Sequence, residues 1–271
     1  MSVPGHLSFD SSVPSARAPQ RRTCLLAGYV AVVSCTVAVS AVGCGDEHAT
    51  VGMEPACAAP SGPLDPKDLI DDFEDGNSTI ALVGARSGGW YSYGDTTAGG
   101  MIQPLGDAAP EAIPGGRGTS HRALHLTSTG FLDWGSGVSV ALHWGPNAAG
   151  VAGELPYDAH IAHGVTFFAR IGDTSASTVR VQFDDQRARP EAGICVVDGP
   201  VGQNCYDGFG TDLPALSTTW QAYRIAFADM RQRQFGVPGD ALDTTQVYEM
   251  EFLFPAGVIT DFWVDDVSLV R

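Results

Sequence analysis

The chain has 271 residues, 31 of them acidic and 15 basic, for a formal charge of −16. So acidic a surface repels nucleic acid and anionic lipid headgroups, while neutral glycans and cations remain compatible with it. The 33 glycines and 17 prolines follow no collagen-like period, and an apolar content of 44% is ample for a packed core.

Arg17, Arg21 and Arg22 precede an apolar run from Cys24 to Val42, which ends in the small residues Ala41-Val42-Gly43 before Cys44. This basic, apolar, small-residue order predicts an export signal over residues 1–43. It resembles the lipobox of bacterial lipoproteins, which implies that Cys44 becomes the lipidated first residue of a protein held in the cell envelope. The competing reading is an uncleaved membrane anchor, since about 20 apolar residues span a bilayer. Residues 44–66, rich in Ala, Gly, Pro and acidic residues, read as a flexible tether. Beyond Cys44 the chain carries 12 basic and 30 acidic residues, a formal charge of −18.

Residues 67–271 alternate short apolar runs with Gly-, Pro-, Asn- and Asp-rich breaks, without sustained helical period. Strands are predicted at 69–73, 81–83, 123–127, 138–144, 164–170, 178–184, 220–227, 248–254 and 262–270. This pattern predicts an all-β domain, an antiparallel β-sandwich of the jelly-roll kind. Acidic clusters stand at both ends, Asp71-Asp72-Phe73-Glu74-Asp75 and Asp265-Asp266. If the first and last strands pair, Asp72, Glu74 and Asp265 could share a structural Ca2+, which takes six to eight oxygen ligands. Turn capping is the plainer alternative.

Period-two alternation in 178–184 turns Val179, Val181 and Phe183 one way and Arg180, Gln182 and Asp184 the other. The polar stripe suits a glycan-binding face or a merely solvated one. Tyr91, Tyr93 and Tyr206, flanked by Gly, Ser and Asp, are candidate sugar platforms, with Trp134 a further candidate. Trp144 shares parity with Val138, Val140 and Leu142 and is expected in the core. Trp263, Asp265, Val267 and Leu269 are expected on one face. Cys195 and Cys205 flank a Gly-rich loop and are expected to form a disulfide, with zinc binding the weaker alternative. Asp158, His160 and His163 form a metal-binding spacing that solvated loop residues would equally produce. No Gly-x-Ser-x-Gly, Walker loop or His-Glu-x-x-His occurs, so no catalytic residues are assigned.

The sequence 69–76, Trp90 with Tyr93, Trp134-Gly135, the segment 219–227 with Arg231 and Arg233, and 263–269 together resemble family 11 carbohydrate-binding modules. The resemblance spans 67–271. It implies a galactose-binding-like jelly roll that binds β-glucan on its concave sheet face and holds structural calcium away from that cleft. Tyr93 matches a cleft tyrosine, Arg180 lies on a cleft-lining strand, and Glu74 and Asp265 match the calcium end. The chain departs from the pattern at Asp133, where the family has tyrosine, and in the loop 185–216. The expected function is therefore non-catalytic binding of polysaccharide outside the cytoplasm. An envelope protein–protein interaction module on the same fold is the alternative.

Overall fold

A computed structural model describes residues 65–271. The expected signal, Cys44 and nearly all of the tether lie outside the described residues.

Fifteen strands follow one another: β1 Leu69–Asp71, β2 Trp90–Gly94, β3 Met101–Gln103, β4 Gly106–Asp107, β5 Glu111–Arg117, β6 Ser120–Thr129, β7 Ser136–Ala141, β8 Trp144–Pro146, β9 Ala152–Glu154, β10 Gly164–Ile171, β11 Arg180–Asp185, β12 Phe209–Asp212, β13 Gln221–Ala226, β14 Val247–Phe254 and β15 Thr260–Val270. They build an antiparallel β-sandwich. One sheet runs β13-β10-β15-β6-β3, with β1 added on β15 and β5 on β6. The other runs β12-β11-β14-β7-β2-β4, and β8 and β9 form a separate hairpin.

Alternation explains how the sheets face each other. On β14, Met250, Phe252 and Phe254 are buried in the shared core together with Val181 and Phe183 of β11 and Val138 and Val140 of β7. Phe252 joins the layers: its ring lies 5.1 Å from Phe167 of β10 and 5.2 Å from Phe262 of β15. Trp90 of β2 stacks on it at 6.3 Å. A fully buried aromatic of this kind contributes on the order of 2–3 kcal/mol through area removed from water.

The two ends of the domain do meet. β1 pairs with β15, Leu69 opposite Ser268 and Asp71 opposite Val267. The alternation expected for β15 breaks midway, however. Phe262, Val264, Val267 and Leu269 all enter the main core, whereas Trp263 packs in a small cluster with Ile113 and Ala123 on the other face. The register against β10 shifts between Thr166 and Phe168, and Asp266 has φ of +50°. One extra residue at this bulge reverses the facing of everything after it. Trp144 also departs from expectation. The chain leaves the sheet after Ala141, and Trp144 in the β8–β9 hairpin is 50% exposed.

Candidate functional site

The outward face of the β12-β11-β14-β7-β2 sheet is assembled in cross-strand rows. Tyr93, Gly137, Leu253, Arg180 and Asp212 form one row; Tyr91, Ser139, Glu251, Gln182 and Gly210 form the next. Ala141, Glu249 and Asp184 begin a third. The stripe of Arg180, Gln182 and Asp184 thus stands beside the acidic stripe Glu249 and Glu251, and across the sheet from the two tyrosines. Trp134 and Tyr206 reach the same region from loops.

Two halves of this face differ in kind. At one end the rings of Trp134, Tyr93 and Tyr91 succeed each other at centroid spacings of 5.9 and 5.8 Å. Gly137 makes room for the Tyr93 ring: a Cβ there would come within 2.8 Å of it. Trp134 is 49% exposed, yet its backbone is fixed. The Asp95 carboxylate accepts the amides of Asp133, Trp134 and Gly135 at 2.9, 3.1 and 2.9 Å, and that of Thr97 at 2.9 Å. Burial acts to raise the Asp95 pKa, but the bonds from Thr97, Gly135 and Asp133 outweigh it and hold the group ionised well below the usual carboxylate range. The row continues through half-buried Leu253 to Arg180, and Asp212 and Arg233 stand exposed at its rim.

The other half is closed and acidic. The segment between β11 and β12, tied by the expected Cys195–Cys205 disulfide, folds over it. The amide of Gln182 donates to the Tyr206 carbonyl at 3.3 Å, while the Tyr206 ring remains exposed. A Cβ on Gly208 would lie 2.0 Å from an Asp184 carboxylate oxygen, so only glycine permits this approach. Arg189 descends from the segment onto the sheet. Its guanidinium pairs with Glu249 and Glu154, each at 2.6 Å, and lies 3.7 Å from Asp184. Tyr91 donates its hydroxyl to Glu249, and Tyr93 donates to Glu251. Gln182 and Asp184 are therefore enclosed beneath a polar roof, which sequence alternation alone does not reveal.

Burial dominates the electrostatics of this half. It raises the carboxyls of Asp184 to about 7 and Glu154 to about 8, with Glu249 adding repulsion in each case. Glu251 is pushed well above the carboxylate range by burial and then by Asp184 and Glu249. Burial opposes the charge on Arg189, but Glu249, Asp184 and Glu154 outweigh it. Glu154, Glu249, Glu251 and Arg189 were not among the residues anticipated. The available signal was the pair of carboxylates of equal parity in the otherwise apolar run 247–254.

The residues expected to hold calcium are arranged differently. Glu74 and Asp265 do converge: the Ser120 hydroxyl lies 3.0 Å from one and 2.7 Å from the other. Glu74 also accepts the amides of His121 and Arg122. Asp72 turns back to the amide of Glu74 at 3.3 Å. The cation at this end is the Arg117 guanidinium, 2.9 Å from Asp265, bonded also to Asp266 and seated 4.0 Å over the Phe168 ring. The buried acid of the first cluster is Asp71, which accepts the Trp90 indole N–H at 3.0 Å and the Phe73 amide at 2.7 Å. Among the described residues, the acidic group with metal-like spacing is instead Asp184, Glu249 and Glu251. Asp158 and His160 pair only with each other, both exposed.

No family model and no curated protein matches the chain. Solved structures do resemble it. A family 11 carbohydrate-binding module from Clostridium thermocellum, in complex with a β-1,3-1,4-mixed-linked tetrasaccharide, shares 17% identity at a TM-score of 0.45. That match covers 75% of this chain and 94% of the module. The family 30 module of a cellulosomal cellulase from the same organism shares 15% identity at a TM-score of 0.45, over 67% of this chain and 91% of its own.

Proposed function

We propose that this protein binds polysaccharide without catalysis, on the aromatic shelf formed by Trp134 and Tyr93. The shelf itself carries this reading: an exposed indole, braced by Asp95 and followed by a second ring at 5.9 Å. Saccharide sites pair apolar ring faces with a few fixed polar groups. Here Leu253 extends the apolar floor, and the exposed Asp212 and Arg233 offer charged and hydrogen-bonding edges, while Arg180 beneath them is buried and bonded to Gln182 and the Arg231 carbonyl. The enclosed acidic half leaves the shelf as the accessible part of the face. A β-glucan is the first ligand to test, followed by xylan and mannan.

Placement outside the cytoplasm, with a lipid on Cys44, belongs to the same proposal. The Cys195–Cys205 disulfide supports it, because such bonds persist in oxidising compartments. The test is affinity electrophoresis of the full-length chain through gels containing each polysaccharide. Retardation by at least one of them, lost in Trp134→Ala, is expected. Unchanged mobility on every polysaccharide, with the β-sheet circular dichroism intact, refutes the reading.

A further inference from the structure

We propose that Asp184, Glu249 and Glu251 form a binding site for one hard divalent cation beneath the segment joining β11 to β12. The site is distinct from the Asp72, Glu74 and Asp265 cluster and does not rest on glycan binding. Each of the three carboxylates offers one oxygen, and these oxygens lie within 4.8 Å of one another. They are presented by two adjacent strands, with Asp184 paired to Glu249 and Gln182 paired to Glu251, so the sheet fixes their spacing. All three side chains are almost wholly buried.

The second observation is a buried carboxylate oxygen without a hydrogen bond. Gln182 donates to Asp184 Oδ1 at 3.0 Å, but Asp184 Oδ2 is fully buried and accepts no hydrogen bond. Its nearest cation is the Arg189 nitrogen that binds Glu249, at 3.7 Å, beyond hydrogen-bond reach. A bound ion would supply the close contact that this buried oxygen lacks.

Charge points the same way. Glu154, Asp184, Glu249 and Glu251 bring four formal negative charges to this face, and Arg189 and Arg180 bring two positive ones. A donor set made only of oxygen selects hard cations such as Ca2+ or Mn2+ over soft metals. The Tyr91 and Tyr93 hydroxyls, bonded to Glu249 and Glu251, orient those carboxylates from outside the cluster.

The test is titration of the chelator-treated full-length chain with CaCl2 and, separately, MnCl2 by calorimetry, and with TbCl3 under tyrosine excitation. Binding of one equivalent is expected, with sensitised terbium emission from the adjacent tyrosines. Glu251→Gln should weaken affinity at least tenfold, whereas Asp72→Asn and Glu74→Gln should leave it unchanged. Absence of saturable binding by the folded chain overturns the proposal, as does binding that survives Glu251→Gln intact. Should that variant not fold, paramagnetic Mn2+ on the unaltered chain decides. Broadening of Tyr91 and Tyr93 resonances supports the site, and broadening confined elsewhere refutes it.

Discussion

Replacing Arg189 with methionine should be among the most damaging single changes to this fold, although the residue lies in a long connection. The substitution keeps much of the apolar stem and removes only the guanidinium. Two carboxylate oxygens at 2.6 Å, on Glu249 and Glu154, would lose their cation while remaining 1% and 9% exposed. At an effective dielectric of about 20, two charges about 4 Å apart attract by about 4 kcal/mol. Two such pairs, offset by the relief of not burying the guanidinium, leave a net loss of about 3–5 kcal/mol. In a domain of this size that lowers the melting temperature by about 10 °C. Urea unfolding at pH 7.5, compared with the unaltered protein, measures it. Adding Glu249→Gln should return part of the loss, because one stranded carboxylate is then neutral, and a double-mutant cycle would show that coupling. A loss below about 1 kcal/mol, or strict additivity, would refute the claim that Arg189 neutralises the acidic half.

Four further outcomes follow from the same geometry. Tyr93→Phe keeps the ring but strands Glu251 and Ser139, so stability should fall by about 1–3 kcal/mol with polysaccharide affinity largely retained; the reverse result would misplace the shelf. Asp95→Ala should speed hydrogen exchange at the amides of Asp133, Trp134 and Gly135 and weaken glycan binding, while unchanged exchange would deny its bracing role. Paired replacement of Cys195 and Cys205 by serine opens a loop with a sequence separation of 10 and should cost about 3 kcal/mol, with exchange rising chiefly in the segment between β11 and β12. Burial raises the Asp71 carboxyl to about 7 against its hydrogen bonds, so the folded state retains a proton that the unfolded chain has lost. Its contribution to stability therefore falls as pH rises from about 4 to about 7, and an NMR titration midpoint near 4 would contradict this.

How much of this was readable in the sequence depends on how local the cause is. The facing of β11 was legible because Val179 to Asp184 alternates without interruption, and the pairing of the chain ends because both carry β-forming runs with acids. The facing of β15 was not, because a single left-handed residue, Asp266, inserts a bulge that no period can show. Parity from Val138 to Trp144 continued past the point where the strand stops, which misplaced Trp144. The aromatic strand β2 was hidden in a run of glycine and serine. The enclosure of Gln182 and Asp184 was out of reach for a different reason. It depends on Arg189 meeting Glu154 and Glu249, partners 35 and 60 residues away, and sequence separation carries no sign of such a meeting. The same holds at Asp265, whose neutralising cation proved to be Arg117.

The most direct measurement of the central claim follows the Trp134 indole N–H in a 1H–15N spectrum while the full-length chain is titrated with a soluble mixed-linkage β-glucan oligosaccharide, and then with xylan and mannan oligosaccharides. At least one ligand should shift this resonance saturably, together with amides of Tyr93 and Leu253, and Trp134→Ala should weaken that ligand about tenfold or more. Shifts that saturate only at residues far from the shelf, or no shifts with any ligand, would contradict the account.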